Sequence, residues 1–220
     1  MIKAVIFDFD GLILDTETAW YESYKEALQT YQCELPLEYF VKCVGTDNTE
    51  LHHYFQEQLG ERCNIEDIES RAKNIHIDKM KKPIAREGVK DYLEEAQKYG
   101  YKIALASSSD RKWITDFLNK LSLIHYFEVI VTGDDVERVK PAPDLYLEAI
   151  NQLNLQANEA VAFEDSLNGL QAATSAGLKC VIVPNPVTEN LPFETHQLRL
   201  PSMSEKRLND VIQYIEQDGV

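Results

Sequence analysis

The sequence predicts an α/β fold, a doubly wound parallel sheet with an inserted α-helical cap. Short apolar segments alternate with helical patterns over most of the 220 residues, as they do in parallel sheets covered by helices on both faces. One stretch near the beginning shows helical patterns only. We therefore expect a core of residues 1–15 and 83–220 and a helical cap of residues 16–82.

Five segments have the pattern of strands that are buried on both faces. Each is a short run rich in β-branched and small apolar residues, and each ends at charged or turn-forming residues. They are residues 4–7, 102–106, 129–132, 160–163 and 180–184. Because helices separate them, right-handed crossover connections are expected.

Apolar residues at spacings of three and four predict the helices. The first is expected over residues 15–32, and Thr16 is a candidate for its N-cap. The other cap helices are predicted at residues 37–43, 49–59 and 65–80. Those of the core are predicted at residues 89–99, 110–121, 144–153, 167–176 and 205–215.

Charge and composition narrow the range of partners. The formal net charge of −15 repels polyanions, so we expect neither nucleic acid nor a membrane as a partner. The four cysteines have no C-x-x-C spacing, which disfavours a zinc site or a disulfide framework. No segment has the pattern of a signal peptide or the roughly 20 apolar residues of a membrane span. We expect a cytoplasmic monomer.

The loops that leave the predicted sheet carry the polar residues of a candidate site. In chain order these are Asp8, Asp10 and Gly11, then Ser107, Ser108 and Ser109, then Lys140, and finally Glu164 and Asp165. Ligands of open α/β sheets bind outside the carboxyl ends of the strands. We therefore expect these residues to share one site.

Each of these groups also has a purely structural interpretation. The D-x-D-G pattern occurs in turns, serines and acids favour the start of a helix, and a lysine before proline can lie in a solvated loop. Because all four groups follow predicted strands in one chain, a common functional site is the stronger hypothesis.

Four motifs in this order resemble those of the haloacid dehalogenase-like superfamily. They are DFDGLILDTE at 8–17, ALASSS at 104–109, KPAPD at 140–144 and FEDSLNG at 163–169. Within the superfamily, the chain is similar to the phosphatases and mutases of the β-phosphoglucomutase type. The resemblance implies that Ser107, Ser108 and Lys140 bind phosphate and that the backbone carbonyl of Asp10 joins the metal ligands.

The residue types fit phosphoryl transfer by covalent catalysis. Asp8 is the predicted nucleophile, and Asp10, on the same side of an extended backbone, is its acid/base partner. Lys140 neutralises charge, and Asp8, Glu164 and Asp165 form a hard oxygen site suited to Mg²⁺. We predict a Mg²⁺-dependent phosphatase for a small phosphorylated metabolite, with a sugar phosphate as one option.

Two other functions stay open. Mutases of the resembled type carry a cap histidine and a cap arginine, whereas this chain has Trp20 and residues 46–48 at those places. An arginine would hold a second phosphate, so hydrolysis is the simpler prediction and a phosphomutase the alternative. A non-catalytic phospho-acceptor module needs neither Asp10 nor a cap. Dehalogenase activity is disfavoured by Asp10 and the acidic pair.

Overall fold

The computed structural model describes residues 1–44 and 48–217 and contains a six-stranded parallel sheet. Its strands are β1 (Ala4–Phe7), β2 (Lys102–Ala106), β3 (Val129–Val131), β4 (Ala160–Glu164), β5 (Lys179–Ile182) and β6 (Leu198–Arg199). They are arranged in the order β3-β2-β1-β4-β5-β6. The predicted fold class is confirmed.

Nine α-helices in the described ranges flank the sheet or form the inserted block. The first four are α1 (Thr16–Gln29), α2 (Leu37–Phe40), α3 (Thr49–Leu59) and α4 (Ile65–Lys79). The others are α5 (Val89–Tyr99), α6 (Arg111–Lys120), α7 (Asp144–Leu153), α8 (Leu167–Ser175) and α9 (Leu208–Gln217). None of those described helices is long and apolar enough to cross a membrane.

Strand β1 lies at the centre of the sheet, and its burial explains its sequence. All four of its side chains are fully buried. Val5 and Phe7 pack in the cluster beneath α5, α6 and α9, whereas Ala4 and Ile6 pack in the cluster beneath α7 and α8. Because successive side chains of a strand point to opposite faces, a strand covered on both sides needs an unbroken apolar run.

The register of β1 fixes what lies beside its end. Phe7 is paired with Leu105 of β2 on one side and with Phe163 of β4 on the other. The residues that follow these three strands therefore leave the sheet at the same edge. This edge carries the candidate site.

Helices α1 to α4 have a hydrophobic cluster of their own. Its buried members include Tyr24, Leu28, Leu51, Phe55 and Ile68. One residue from outside the inserted block, Val187, also belongs to this cluster. The separate cluster supports the division into core and cap, and the boundaries at 15/16 and 82/83 stay predictions.

The details differ from the sequence prediction in several places, beyond shifts of a few residues at the ends of elements. Asp15, not Thr16, caps α1, since its side chain accepts a hydrogen bond from the backbone nitrogen of Thr18. The last helix begins at Leu208 rather than at residue 205. Strand β6 was not predicted, because two residues are too few to show an alternating pattern.

A stack of rings joins the cap to the core. The ring of His76 lies on Trp20, with centroids 3.8 Å apart and planes inclined by 8°. His76 also approaches Trp113 of α6, with ring centroids 6.0 Å apart and planes inclined by 18°. His76 is 2% exposed, and this burial lowers its pKa to about 4. Its Nε2 has no hydrogen-bond partner within residues 1–44 and 48–217.

The buried histidine predicts a pH-dependent stability. Because the pKa of His76 is below its ordinary value of 6.5, the unfolded chain binds more protons between pH 6.5 and about 4. Folding stability should fall as the pH is lowered through this window, by up to roughly 3 kcal/mol from this residue. His76→Phe, which keeps a ring in the stack, should lose less stability than the wild type between pH 7 and 4.5. Urea unfolding at several pH values tests this, and parallel curves for the two proteins would contradict it.

Candidate active site

A cavity of about 350 Å³ opens at the carboxyl ends of the central strands. Its lining residues are Asp8, Asp10, Thr16, Glu17, Trp20, Val44, Ser107, Ser108, Ser109, Asp110, Trp113, Lys140, Asp165, Ser166 and Asn168. Of the residues predicted for the site, all but Gly11 and Glu164 line this cavity. Glu164 is fully buried and contacts the ammonium of Lys140.

The ammonium group of Lys140 is buried between two carboxylates. Its Nζ lies 2.5 Å from Oδ1 of Asp8 and 2.7 Å from Oε1 of Glu164, and it donates to the carbonyl oxygen of Ala106 at 2.8 Å. Burial alone would lower the pKa of Lys140, but the charges of Asp8 and Glu164 outweigh it and raise this pKa above its ordinary value. The lysine therefore stays charged, and its three donors each have an acceptor.

Three buried carboxylates, two of which contact this cation, lie close to one another. Ligand oxygens of Asp8, Glu164 and Asp165 all lie within 4.8 Å of one another. Burial raises the pKa of Asp8 well above its usual range, Lys140 opposes this, and Glu164 adds to it. Burial and the nearby charges of Asp8 and Glu164 also raise the pKa of Asp165. The single positive charge of Lys140 does not balance the negative charge of three carboxylates that lie so close together.

The chemistry of this group fits a hard divalent cation. Oδ2 of Asp165 accepts a hydrogen bond from Asn185 at 2.7 Å, but its buried Oδ1 has no partner in the part of the chain that the structure describes. Oε1 of Glu164, in contrast, already accepts from the hydroxyl of Tyr146 at 2.6 Å and faces Lys140. A buried carboxylate oxygen without a donor is costly unless a cation binds it. Carboxylate oxygens are ligands of Mg²⁺ and Ca²⁺.

Two glycines make room for these acids. A Cβ atom on Gly169 would lie 1.9 Å from the carboxyl carbon of Glu164. Gly11 has a φ of +81°, and a Cβ atom there would lie 2.1 Å from Oδ2 of Asp165. Any larger residue would displace a carboxylate that has no other space.

Asp10 is held apart from the carboxylate group. Its Oδ2 accepts from the hydroxyls of Ser109 at 2.6 Å and Ser107 at 3.4 Å, and its Oδ1 accepts from Nε1 of Trp113 at 3.0 Å. Burial raises its pKa, while the hydrogen bonds from Ser109 and Trp113 lower it. The side chain of Asp10 thus faces donors on the β2 side. Coordination through its backbone carbonyl stays a prediction.

The loop after β2 brings hydroxyl and amide groups to the cavity. The buried hydroxyl of Ser107 accepts a hydrogen bond from the nitrogen of Ser109 at 3.1 Å, and Ser108 is exposed at the cavity. Asp110 caps α6 by accepting from the nitrogen of Trp113 at 2.8 Å. The end of β2 therefore runs into the start of a helix, which is a favourable place for an anion.

Three contributors to this site were not predicted from the sequence. Trp113 holds Asp10 together with the predicted Ser109, Tyr146 holds Glu164, and Asn185 holds Asp165. Trp113 and Tyr146 lie on amphipathic helices, where an aromatic residue is more often part of the core.

The chain belongs to the haloacid dehalogenase-like hydrolases, whose family model matches residues 5–183. A relative in Bacillus subtilis (strain 168), named "Putative phosphatase YhcW", is 48% identical over 94% of this chain and 95% of its own length. The "Phosphorylated carbohydrates phosphatase" of Thermotoga maritima is 32% identical over 81% of this chain and 83% of its own.

A solved structure extends this comparison. A mutant of CbbY from Rhodobacter sphaeroides, crystallised in complex with xylulose-(1,5)bisphosphate, is 26% identical to this chain and superposes with a TM-score of 0.71. The match covers 93% of this chain and 96% of CbbY. The family membership and these relatives identify the protein as an enzyme, a phosphatase of the haloacid dehalogenase type.

The contact between Gly169 and Glu164 predicts a stability effect. Gly169→Ala should destabilise the protein by about 1–3 kcal/mol, because the added methyl group overlaps a carboxylate fixed by Lys140 and Tyr146. Shortening that carboxylate relieves the overlap, so the double variant Gly169→Ala with Glu164→Asp should recover part of the loss relative to Glu164→Asp alone. Thermal and urea unfolding of the four proteins measure this coupling. Additive effects would contradict the close approach.

Proposed function

We propose that this enzyme is a Mg²⁺-dependent phosphatase that hydrolyses a small phosphorylated metabolite through an aspartyl-phosphate on Asp8. One observation carries the proposal: Asp8 lies at the cavity beside the Lys140 ammonium and two further carboxylates, while Asp10 faces the same cavity and is held by separate donors. This arrangement supports attack by one aspartate and proton transfer by the other.

In the first half of the reaction, the carboxylate of Asp8 attacks the phosphorus atom. The ester P–O bond breaks as the new P–O bond to Asp8 forms, and Asp10 in its acid form gives its proton to the leaving alkoxide. Burial supports this role, because it raises the pKa of Asp10 towards the proton-bearing state. The products are the free alcohol and the phosphorylated Asp8.

In the second half, Asp10 acts as the base. Its carboxylate takes a proton from a water molecule, the water oxygen attacks phosphorus, and the P–O bond to Asp8 breaks. Inorganic phosphate leaves, and Asp8 and Asp10 regain their initial states. The hydrogen bonds from Ser109 and Trp113 support this step because they stabilise the carboxylate form of Asp10.

Mg²⁺ when bound would neutralise charge that develops on the phosphoryl oxygens. Asp8, Asp165 and the carbonyl of Asp10 are its proposed ligands. We assign the direct contact to Asp165 rather than Glu164, because Oδ1 of Asp165 lacks a partner among the described residues while Oε1 of Glu164 is already bonded. Ser107, Ser108 and Lys140 are the proposed phosphate-binding residues. Location in the cytoplasm and a monomeric state stay predictions from the sequence.

The phosphomutase alternative has less support. Trp20, at the place of the mutase histidine, is stacked on His76 and carries no group that transfers a proton at neutral pH. Thr46 and Asp47 lie outside the described residues, and Asn48 donates to Tyr24 and Glu69 within the cap. A non-catalytic phospho-acceptor is disfavoured by the placement of Asp10 at the cavity.

Replacement of the nucleophile tests the proposal. With Mg²⁺ present, the wild type should release phosphate from p-nitrophenyl phosphate and from sugar phosphates, and chelation of the metal should stop it. Asp8→Asn should lower kcat by at least about 1,000-fold, because an amide cannot form the phosphoenzyme. Asp116→Asn, an exposed residue paired with Lys112 on α6, is the control and should keep wild-type activity. Wild-type turnover by Asp8→Asn would refute the mechanism.

The bond from Trp113 predicts a change in the pH profile. Trp113→Phe keeps a ring in the stack but removes the donor to Asp10, so the pKa of Asp10 should rise. The alkaline limb of the kcat/KM profile, which reports the acid form of Asp10 in the first half of the reaction, should move to higher pH by about 1 unit. Trp20→Phe is the matched control, since in residues 1–44 and 48–217 Asp10 accepts no hydrogen bond from Trp20. An unchanged alkaline limb in Trp113→Phe would contradict the role of this bond.

A further inference from the structure

A second cavity, of about 210 Å³, lies on the cap side of the active-site cavity. Its lining residues are Glu17, Trp20, Tyr24, Phe40, Cys43, Asn48 and Glu69. Glu17 and Trp20 line both cavities, so the two adjoin at these side chains. If the phosphate lies at Asp8, the rest of the substrate extends past Glu17 into this second space, which we call the cap cavity.

The far wall of the cap cavity is a fixed polar network. Glu69 accepts hydrogen bonds from the hydroxyl of Tyr24 at 2.6 Å and from the amide of Asn48 at 3.2 Å, and its Oε1 lies 2.7 Å from Nε2 of His52. Asn48 also donates to the hydroxyl of Tyr24 at 3.0 Å. Burial and the charge of Glu69 raise the pKa of Tyr24. The wall is therefore preorganised and presents oxygen atoms.

No positive charge faces the cap cavity from the described residues that line it. Among the described residues that line the two cavities, Lys140 is the one cation, and its ammonium already contacts Asp8 and Glu164. Residues 45–47, which lie outside the described ranges, are glycine, threonine and aspartate and carry no cation. Lys25 and Arg71 of the cap, which are outside this lining, are paired with Glu22 and Asp67.

Glu17 stands at the junction without a partner. It accepts no hydrogen bond from any residue in 1–44 and 48–217, although it is half-buried and lines both cavities. Burial, with the charges of Asp10 and Asp15, raises its pKa to about 8. A carboxyl group so placed has unused capacity to accept hydrogen bonds, which the hydroxyl groups of a ligand supply.

Resting on the proposed function, we propose that the cap cavity binds the alcohol part of the substrate, that this part is a neutral polyhydroxyl group, and that Glu17 accepts a hydrogen bond from one of its hydroxyls. The faces of Trp20, Tyr24 and Phe40 cover its carbon skeleton. A second phosphate or a carboxylate bound here would be desolvated beside Glu17 and Glu69, and none of the described lining residues would supply a cation to offset that cost. The substrate class is thus a monophosphate of a neutral sugar or polyol.

Phosphorylated sugars that differ in charge test the class. Glucose 6-phosphate is compared with 6-phosphogluconate, which adds a carboxylate, and with fructose 1,6-bisphosphate, which has a second phosphate. We expect kcat/KM for glucose 6-phosphate to exceed both by at least roughly 100-fold. Equal or better turnover of either of these more highly charged compounds, with p-nitrophenyl phosphate still hydrolysed, overturns this inference and leaves the proposed function standing. If p-nitrophenyl phosphate is not hydrolysed, the inference and the proposed function both fail.

Variants at Glu17 test the assigned contact. Glu17→Leu should lower kcat/KM for glucose 6-phosphate about 10-fold more than for p-nitrophenyl phosphate, which has no hydroxyl to offer. Glu17→Gln keeps the size of the side chain and a hydrogen-bond acceptor, so it should retain most of the preference for glucose 6-phosphate. This variant tests the contact even if Glu17→Leu does not fold. Glu22→Gln on the same helix, outside both linings, is the control. An unchanged substrate ratio in folded Glu17→Leu refutes the role of Glu17.

Discussion

The buried ammonium of Lys140 is the interaction on which the rest of the site depends. It touches Asp8 after β1, Glu164 at the end of β4 and the carbonyl of Ala106 at the end of β2. The parallel register of these strands brings the three acceptors to one level. Without this cation the buried carboxylates would repel one another with little solvent to screen their charges. The register of the sheet therefore determines the positions of the groups that Lys140 contacts.

Core and cap contribute different properties to the cleft. The core supplies the groups that handle charge, namely the lysine, the buried acids and the donors around Asp10. The cap supplies aromatic faces and acceptor oxygens, and its lining within the described ranges carries no cation. In the proposed function, the core residues act on the phosphoryl group, and the cap residues determine which alcohol part of the substrate can bind. Glu17 lies where the two meet.

Much of the fold could be predicted because burial imposes periodicity. β1 has to be apolar at every position since both of its faces are covered, and α5 shows a clear apolar stripe. β6 was not predicted because two residues are too few to show a periodic pattern. The N-cap of α1 is Asp15 rather than Thr16, and the sequence did not distinguish them because both residue types favour that position.

The candidate site was predictable to the extent that its residues follow strands. Asp8, Lys140 and Glu164 are far apart in sequence, but parallel topology sends each of them to one edge. Trp113 and Tyr146 reach the same place from helices, and their contacts depend on side-chain directions that spacing does not encode. The ring stack has a practical consequence, since both of the chain's tryptophans belong to it. Indole fluorescence of the unmodified enzyme is thus a built-in optical reporter of the junction between its two parts.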